Sequence, residues 1–347
     1  MRREAPFDRE AARQALRLTL AMAISLTFDM ARDQPFAFLT AMFAVQMLAK
    51  SPHAPTLRQG IGFAIIMALA SNVALTLCGL LLHRPISYLL VLGLLFIGCF
   101  YLQARGKGGP VPQLLLVCNA MLPVLAVQSA DLAVDFSNIM IDAALGAPLV
   151  VWLVHAILPS EPAAAAANAP PPMSSADALG HALPAAIVLM LPFAYFMLHA
   201  EEASIVILVS TIGIASQAPE ARGKVILGLL LGNLIGGIAA SLAYGLVTLL
   251  PTLAMLFLVT LLAGLVLAGR LFGPSPLAPA FGVALSTFLI LLGLGLAPIG
   301  DGSGAAFVSR IVEVALASVY AIGAITLFAA NRRSTEIVPA QSGRAAN

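Results

Sequence analysis

Charge is what this sequence has least of. Asp, Glu, Lys and Arg make up 10% of its 347 residues, against about 25% in soluble globular domains. A water-soluble fold of this length could not cover its surface with so few. The net charge of +2 excludes the strongly basic composition of a nucleic-acid binder, and no nucleic-acid partner is expected. Cysteine occurs three times, at Cys78, Cys99 and Cys118, always within an apolar stretch and never with CxxC spacing. A disulfide framework is therefore not expected, and the thiols read as inert and buried.

Motifs for soluble chemistry are missing too. There is no G-x-x-x-x-G-K-[ST] loop, no H-E-x-x-H and no G-x-S-x-G elbow. His53, His83, His155, His181 and His199 have no metal-ligand spacing. The expectation is a protein that is not an enzyme and has no catalytic residues, cofactor or metal. Energy from ATP would have to come from another chain, and the other candidate source is a proton gradient.

What is abundant is apolar sequence. Hydrophobic residues form 60% of the chain and come in blocks, such as Val225–Leu250 and Leu253–Leu271. A bilayer-spanning helix needs about 20 mostly apolar residues, and the 28 glycines suit membrane helices. Arg2 and Arg3 ahead of Leu16–Phe28 resemble a signal peptide. Glu4, Asp8 and Glu10 dilute that positive region, and the segment has a counterpart later in the chain, so it reads as a retained first helix.

The predicted spans of the first half are Gln14–Met30, Phe36–Leu48, Leu57–Leu82, Ile86–Ala104, Gln113–Gln128 and Ser137–Leu158. Those of the second half are His181–Leu198, Ser204–Ser216, Val225–Leu250, Leu253–Leu271, Ala280–Ala297 and Ala305–Ala330. Between them Pro159–Asp177, with Pro170-Pro171-Pro172, reads as an extended linker. The expected organisation is a tail over 1–12, a repeat over 13–158, a linker over 159–178, a second repeat over 179–330 and a polar, disordered tail over 331–347.

Four local matches in the same order point to an internal duplication. Ala54-Pro55-Thr56-Leu57-Arg58 recurs as Ala218-Pro219-Glu220-Ala221-Arg222, and Gln14-Ala15-Leu16 matches His181-Ala182-Leu183. Arg105 before a Gly/Pro-rich loop matches Arg270, and Asp142-Ala143-Ala144-Leu145 matches Glu313-Val314-Ala315-Leu316.

With a cytoplasmic N-terminus and twelve crossings, 15 of the 18 Lys and Arg residues fall inside. Arg32, Arg84 and Arg310 are the three outside, and Asp33, Asp131, Asp135, Glu201, Glu202 and Asp301 sit with them. That obeys the positive-inside rule. The second and eighth spans have 13 residues each, roughly 20 Å of helix. If neither crossed, the halves would be inverted and the two Ala-Pro-x-x-Arg loops would face opposite sides, against the charge rule. The expected fold is an all-α integral membrane protein of about twelve transmembrane helices in two parallel six-helix repeats.

Three features stand out. Arg58 and Arg222 lie one turn into helices that begin at a proline, where helix N-termini attract anions. They read either as an anion-gathering ring at the inner mouth or as lipid-headgroup anchors that set topology. Gly228, Gly232 and Gly236, like Gly60, Ala64 and Ala68, recur every four residues as a small-residue packing stripe. Such stripes often line the interface between repeats. Asn72 and Asn233 on the same helices read either as polar-path residues or as interhelical links. Asp142 and Glu313 are acids at membrane depth, where ionisable groups are costly and face the bundle interior or a water-filled cavity. Arg310 lies three residues before Glu313, on the same helix face. They read either as a proton-handling carboxylate pair or as a structural bridge.

Pro55, Arg58, Pro219, Arg222 and the segments around Asp142 and Arg310-Ile311-Val312-Glu313 together resemble the fusaric acid resistance / aromatic acid exporter (FUSC-like) superfamily. The resemblance covers most of residues 13–330. The larger members carry a sizeable cytoplasmic domain where this chain has only the short linker Pro159–Asp177, so it looks like a compact, uncharacterised branch. The resemblance implies a multi-pass protein of the bacterial inner membrane, with both termini cytoplasmic and lipid around it. It implies efflux of small organic anions such as aromatic carboxylic acids, a periplasmic membrane-fusion (HlyD-type) adaptor as partner, and a homodimer as in plant relatives. The leading expectation is a proton-coupled exporter. A passive anion channel and a membrane scaffold without transport are the alternatives.

Overall fold

The computed structural model describes residues 9–51, 53–159, 173–199, 207–208, 211–212, 215–216, 222–275, 277–296, 312–313, 315–316, 319–320 and 323. For residues 50, 222–227 and 229–230 the description is of backbone alone. Regular structure among the described residues is entirely helical. The helices are α1 (Arg9–Ala31), α2 (Phe38–Lys50), α3 (Leu57–Leu81), α4 (Pro85–Ala104), α5 (Val111–Gln128) and α6 (Ala130–Ile157). They continue as α7 (Ser175–Leu198), α8 (Arg222–Leu249), α9 (Leu253–Leu271) and α10 (Ala278–Leu296).

Among the described residues eight helices, α3 to α10, are long and apolar enough to cross a bilayer. Their outer faces confirm what they are built to touch. Ile61, Ile65, Leu69 and Leu80 on α3, or Leu258, Leu262 and Val266 on α9, stand exposed. Leucine on both the inside and the outside of a helix bundle is intolerable in water and natural in hydrocarbon. α1 and α2 are the exceptions. α1 carries Arg9, Glu10, Arg13, Arg17 and Asp29, and α2 has only 13 residues. The predicted spans Ser204–Ser216 and Ala305–Ala330 lie largely outside the described residues. Ile207, Leu208, Thr211, Ile212 and Ala215, like Val312, Glu313 and Tyr320, are helical.

Helix starts follow local chemistry. α3 opens on a capping box, with Gln59 N–H donating to Thr56 Oγ1 at 3.3 Å and Thr56 N–H to Gln59 Oε1 at 2.9 Å. Pro85 opens α4. Ser174 caps α7 by accepting from Asp177 N–H at 3.2 Å. The helix therefore begins inside the stretch expected to be linker, and His181 lies almost two turns along it. α6 likewise starts at Ala130 rather than Ser137. Asp131 and Asp135 fall in its first two turns, where acids suit the helix dipole.

Hydrogen bonds show which helix ends lie together. Arg17 near the start of α1 donates to Leu158 O and Pro159 O at the end of α6. Gln14 donates to Leu48 O near the end of α2 at 3.3 Å, so this short helix still reaches back towards the start of α1. Trp152 Nε1–H donates to Pro55 O ahead of α3 at 2.6 Å. Gln103 donates to Gln113 where α4 hands over to α5, and Arg105 donates to Met173 O ahead of α7 at 3.1 Å. Arg13, Arg17, Arg58, Arg105 and Lys107 thus share one end of the bundle, with Glu10 and Asp177 among them. Asp29, Asp33, Asp131 and Asp135 share the other, with Arg32 and Arg84.

The close helix pairs are α1 with α9, α4 with α7, α3 with α5 and α8 with α10. Phe96 meets Phe193 edge to face at 5.9 Å between α4 and α7. Gly264 lets α9 settle on α1, since a Cβ there would come within 2.5 Å of Met22 Cε. The small-residue stripe of α8 packs on α10, from the same half of the chain, and not across the two halves. Gly60 in the matching stripe of α3 meets Trp152 and Pro148 of α6. Small residues allow the approach, but the connectivity chooses the partner. The three cysteines are buried and free, Cys118 Sγ lying 3.5 Å from Ser71 Oγ.

Candidate functional site

At the acidic end α1, α2 and α6 enclose a cavity of about 290 Å³. The face of α1 that lines it carries Ser25, Phe28 and Asp29, spaced so that they point to one side of a 3.6-residue helix, and Arg32 follows in the turn just past its end. α2 contributes Thr40, and α6 contributes Asp142, Gly146, Leu149 and Leu153. Gly146 sets the depth of the contact. A Cβ there would lie 3.1 Å from Thr40 Cγ2, so glycine lets α6 lean on α2 and carries Asp142, one turn away, alongside Asp29. Phe36 against Phe136, ring centroids 4.7 Å apart, packs the loop ahead of α2 on the start of α6.

Asp29 is buried, with Thr40 of α2 beside its carboxylate. Asp142 and Arg32 are the charged groups close enough to act on it electrostatically. Arg32 lies over the Phe28 ring, 5.5 Å from its centroid, a cation–π contact that holds the guanidinium at the rim. Ser25 is 1% exposed, and its hydroxyl has no hydrogen-bond partner among the described residues. Thr19 on the same helix returns its proton to Ala15 O at 2.7 Å; Ser25 makes no such bond. A buried hydroxyl left unmet costs roughly 1–3 kcal/mol, and this one lines the cavity. Phe28, Leu149 and Leu153 are 58%, 61% and 49% exposed, so the mouth is continuous with the apolar outer surface of the bundle. The site can exchange a proton, hold an anionic group at Arg32 and offer two carboxylates to a cation.

Among the described residues that the sequence led one to expect in a site, the cavity gathers Asp142 alone. Glu313 is partly buried and is not among the lining residues, while Arg310 lies outside the described residues. Two acids with a single arginine do come together, but as Asp29, Asp142 and Arg32. Arg58 is exposed at the start of α3, where Thr56 and Gln59 do the capping. Arg222 opens α8, and its side chain lies outside the description. Asn72 is exposed on the outer face of α3, and its amide donates to Ala68 O on its own helix at 2.8 Å. Asn233 Oδ1 accepts from the Thr287 hydroxyl of α10 at 2.6 Å, the interhelical link. Asp29 was readable in principle, as an acid closing an otherwise apolar run with Ser25 a turn before and Arg32 a turn after.

Residues 14–154 match the model of a family described as a protein of unknown function (DUF2955). Every residue that lines the cavity falls within that stretch. No curated protein and no solved structure matches the chain.

Proposed function

We propose that the protein is a secondary transporter of the bacterial inner membrane that exports small organic acids, aromatic carboxylic acids among them, with proton exchange at the outer cavity. The observation that carries this reading is a cavity holding Asp29, Asp142 and Arg32 in a bundle otherwise short of charge. Ionisable groups at membrane depth mark ion and substrate paths. From α1 the cavity receives Asp29, from the turn after it Arg32, from α6 Asp142, and from α2 no charged group. One guanidinium cannot neutralise two carboxylates, so one acid is free to take up and release a proton. A passive anion channel needs a basic lining, and this lining is net acidic, which favours a coupled carrier.

The twelve-span, two-repeat layout belongs to the same reading. Shifting each span by six turns the pair α1–α9 into α7–α4 and the pair α3–α5 into α8–α10, and all four pairs are close. Ser216 near the start of α5, with its hydroxyl 3.4 Å from Gln113 Oε1, likewise mirrors α2 beside α10. In the register that matches Gln14 to His181, Phe28 and Arg32 fall on Tyr195 and His199, whose rings stack at 4.6 Å.

The positive-inside rule puts the basic end in the cytoplasm, and with it both termini and the linker. A cysteine introduced at Ala165 should be labelled from the cytoplasmic side alone in a background whose three native thiols are buried. Labelling from the periplasm would overturn the parallel-repeat layout. Transport is tested in vesicles with a panel of aromatic acids, with and without a pH gradient. The wild type should move at least one of them faster with the gradient. Asp29→Asn and Asp142→Asn should each remove most of that acceleration, about tenfold or more by the usual weight of a positioned proton-transfer group. Gradient-driven transport with an unaltered pH profile in both variants would remove the coupling role and leave the channel.

A further inference from the structure

The charge of the cavity says more about the solute than its acidity alone. With Asp29, Asp142 and Arg32 ionised the site carries one net negative charge. A bare carboxylate entering it would add to that excess, whereas a positive group offsets it. Ser25, one helical turn below Asp29, lines the cavity with its hydroxyl buried and without a hydrogen-bond partner among the described residues. Coupling points the same way. A proton and an ammonium compete for the same carboxylates, so protons arriving from outside release an ammonium-bearing solute there. The volume, about 290 Å³, lies at the small end of ligand pockets, roughly 300–1,000 Å³.

We infer that the cavity binds a small zwitterionic amphiphile. Its ammonium sits between Asp29 and Asp142, its anionic group on Arg32, and its apolar body along Phe28 and Leu149 towards the bilayer. The inference deepens the transporter reading and rests on it for the direction of movement, but the binding itself does not need transport. The same head chemistry occurs in a free amino-acid-like solute and in a phosphatidylethanolamine headgroup, and the exposed Phe28, Leu149 and Leu153 at the mouth admit either.

The test compares three probes with one apolar body: L-phenylalanine, phenethylamine and 3-phenylpropionate. Binding to the full-length protein is measured by calorimetry in nanodiscs of phosphatidylglycerol alone and of phosphatidylglycerol with phosphatidylethanolamine. Phenylalanine and phenethylamine should bind about tenfold or more tightly than phenylpropionate, the weight of one charge-assisted contact. Asp142→Asn should erase that preference; phenylalanine should also bind more tightly than phenethylamine through its carboxylate on Arg32, and Arg32→Gln should remove that difference. Phosphatidylethanolamine that excludes the free probes, and that co-purifies with the wild type but not with Asp142→Asn, supports the site with lipid as its source. Phenylpropionate binding as tightly as phenethylamine, or no ammonium-bearing ligand of either source, overturns the inference. Binding without transport in vesicles would uphold the site and sink the transporter reading; transport of phenylpropionate with no ammonium preference would do the reverse.

Discussion

Arg17→Met should lower the stability of the bundle by about 3–5 kcal/mol, the usual loss when one partner of a buried charge pair is removed. The Arg17 side chain is fully buried, although it belongs to a residue type that almost never is. Its guanidinium donates to three partners. Nε donates to Leu158 O at 2.8 Å, Nη2 to Pro159 O at 2.9 Å and Nη1 to Glu10 Oε1 at 2.9 Å. The first two are carbonyls at the end of α6, which the helix itself cannot satisfy. Arg17 therefore caps α6 with a side chain from α1 and ties the first helix of the half to its last. Methionine fills the space but leaves two carbonyls and the Glu10 carboxylate without that donor. Arg17→Lys should fall between, because an ammonium cannot reproduce the planar fork. The readout is the unfolding midpoint of the purified protein in detergent. A wild-type midpoint for Arg17→Met would show that Arg17 is an ordinary basic residue at a helix end.

Much of the fold was legible because membrane insertion writes it in composition. Helices α3, α4, α5, α9 and α10 begin and end within two residues of the apolar runs Leu57–Leu82, Ile86–Ala104, Gln113–Gln128, Leu253–Leu271 and Ala280–Ala297. Where boundaries moved, a polar helix start was the cause. Asp131 and Asp135 read as loop, yet they stabilise the first turns of α6. Ser174 and Asp177 read as linker, yet they form the cap of α7. The S-x-x-D spacing there was the available signal.

The site was less legible, because it depends on which helices touch. Asp142 stood out as an acid within an apolar span. Its partner was sought at the equivalent repeat position, Glu313, whereas the contact of α6 with α1 supplies Asp29. The proposed duplication would not carry that acid over: in the register of the Gln14 and His181 segments Asp29 corresponds to Phe196 and Ser25 to Pro192. Arg17 was visible only as one more inner basic residue. Nothing in its neighbourhood along the chain announces a carbonyl 141 residues away.

The stripe on α8 makes a sharper demand than its regular spacing suggests. As sequence, Gly228, Gly232 and Gly236 are equivalent, and each should resist a larger residue equally. The approach of α10 separates them. A Cβ on Gly232 would lie 2.5 Å from Ala280 O and 2.8 Å from Val283 Cβ. A Cβ on Gly236 would lie 2.5 Å from Ala284 O and 2.8 Å from Thr287 Cβ. Backbone oxygens of a packed helix cannot rotate away as a flexible side chain can, so even one methyl group must push the helices apart. At Gly228 the nearest atom, Ala280 Cβ, is 3.8 Å away, an ordinary van der Waals contact. Gly232→Ala and Gly236→Ala are each expected to cost about 1–3 kcal/mol, as overpacking does. They would also strain the bond from Thr287 to Asn233, which lies between the two glycines. Gly228→Ala should be neutral or slightly stabilising, since alanine favours the helix by about 1 kcal/mol over glycine. Unfolding midpoints of the three variants in one detergent decide it. Equal losses at all three positions would mean that the whole length of α8 lies in close contact with α10; no loss at Gly232 or Gly236 would mean that the two helices do not approach as closely as those carbonyls require.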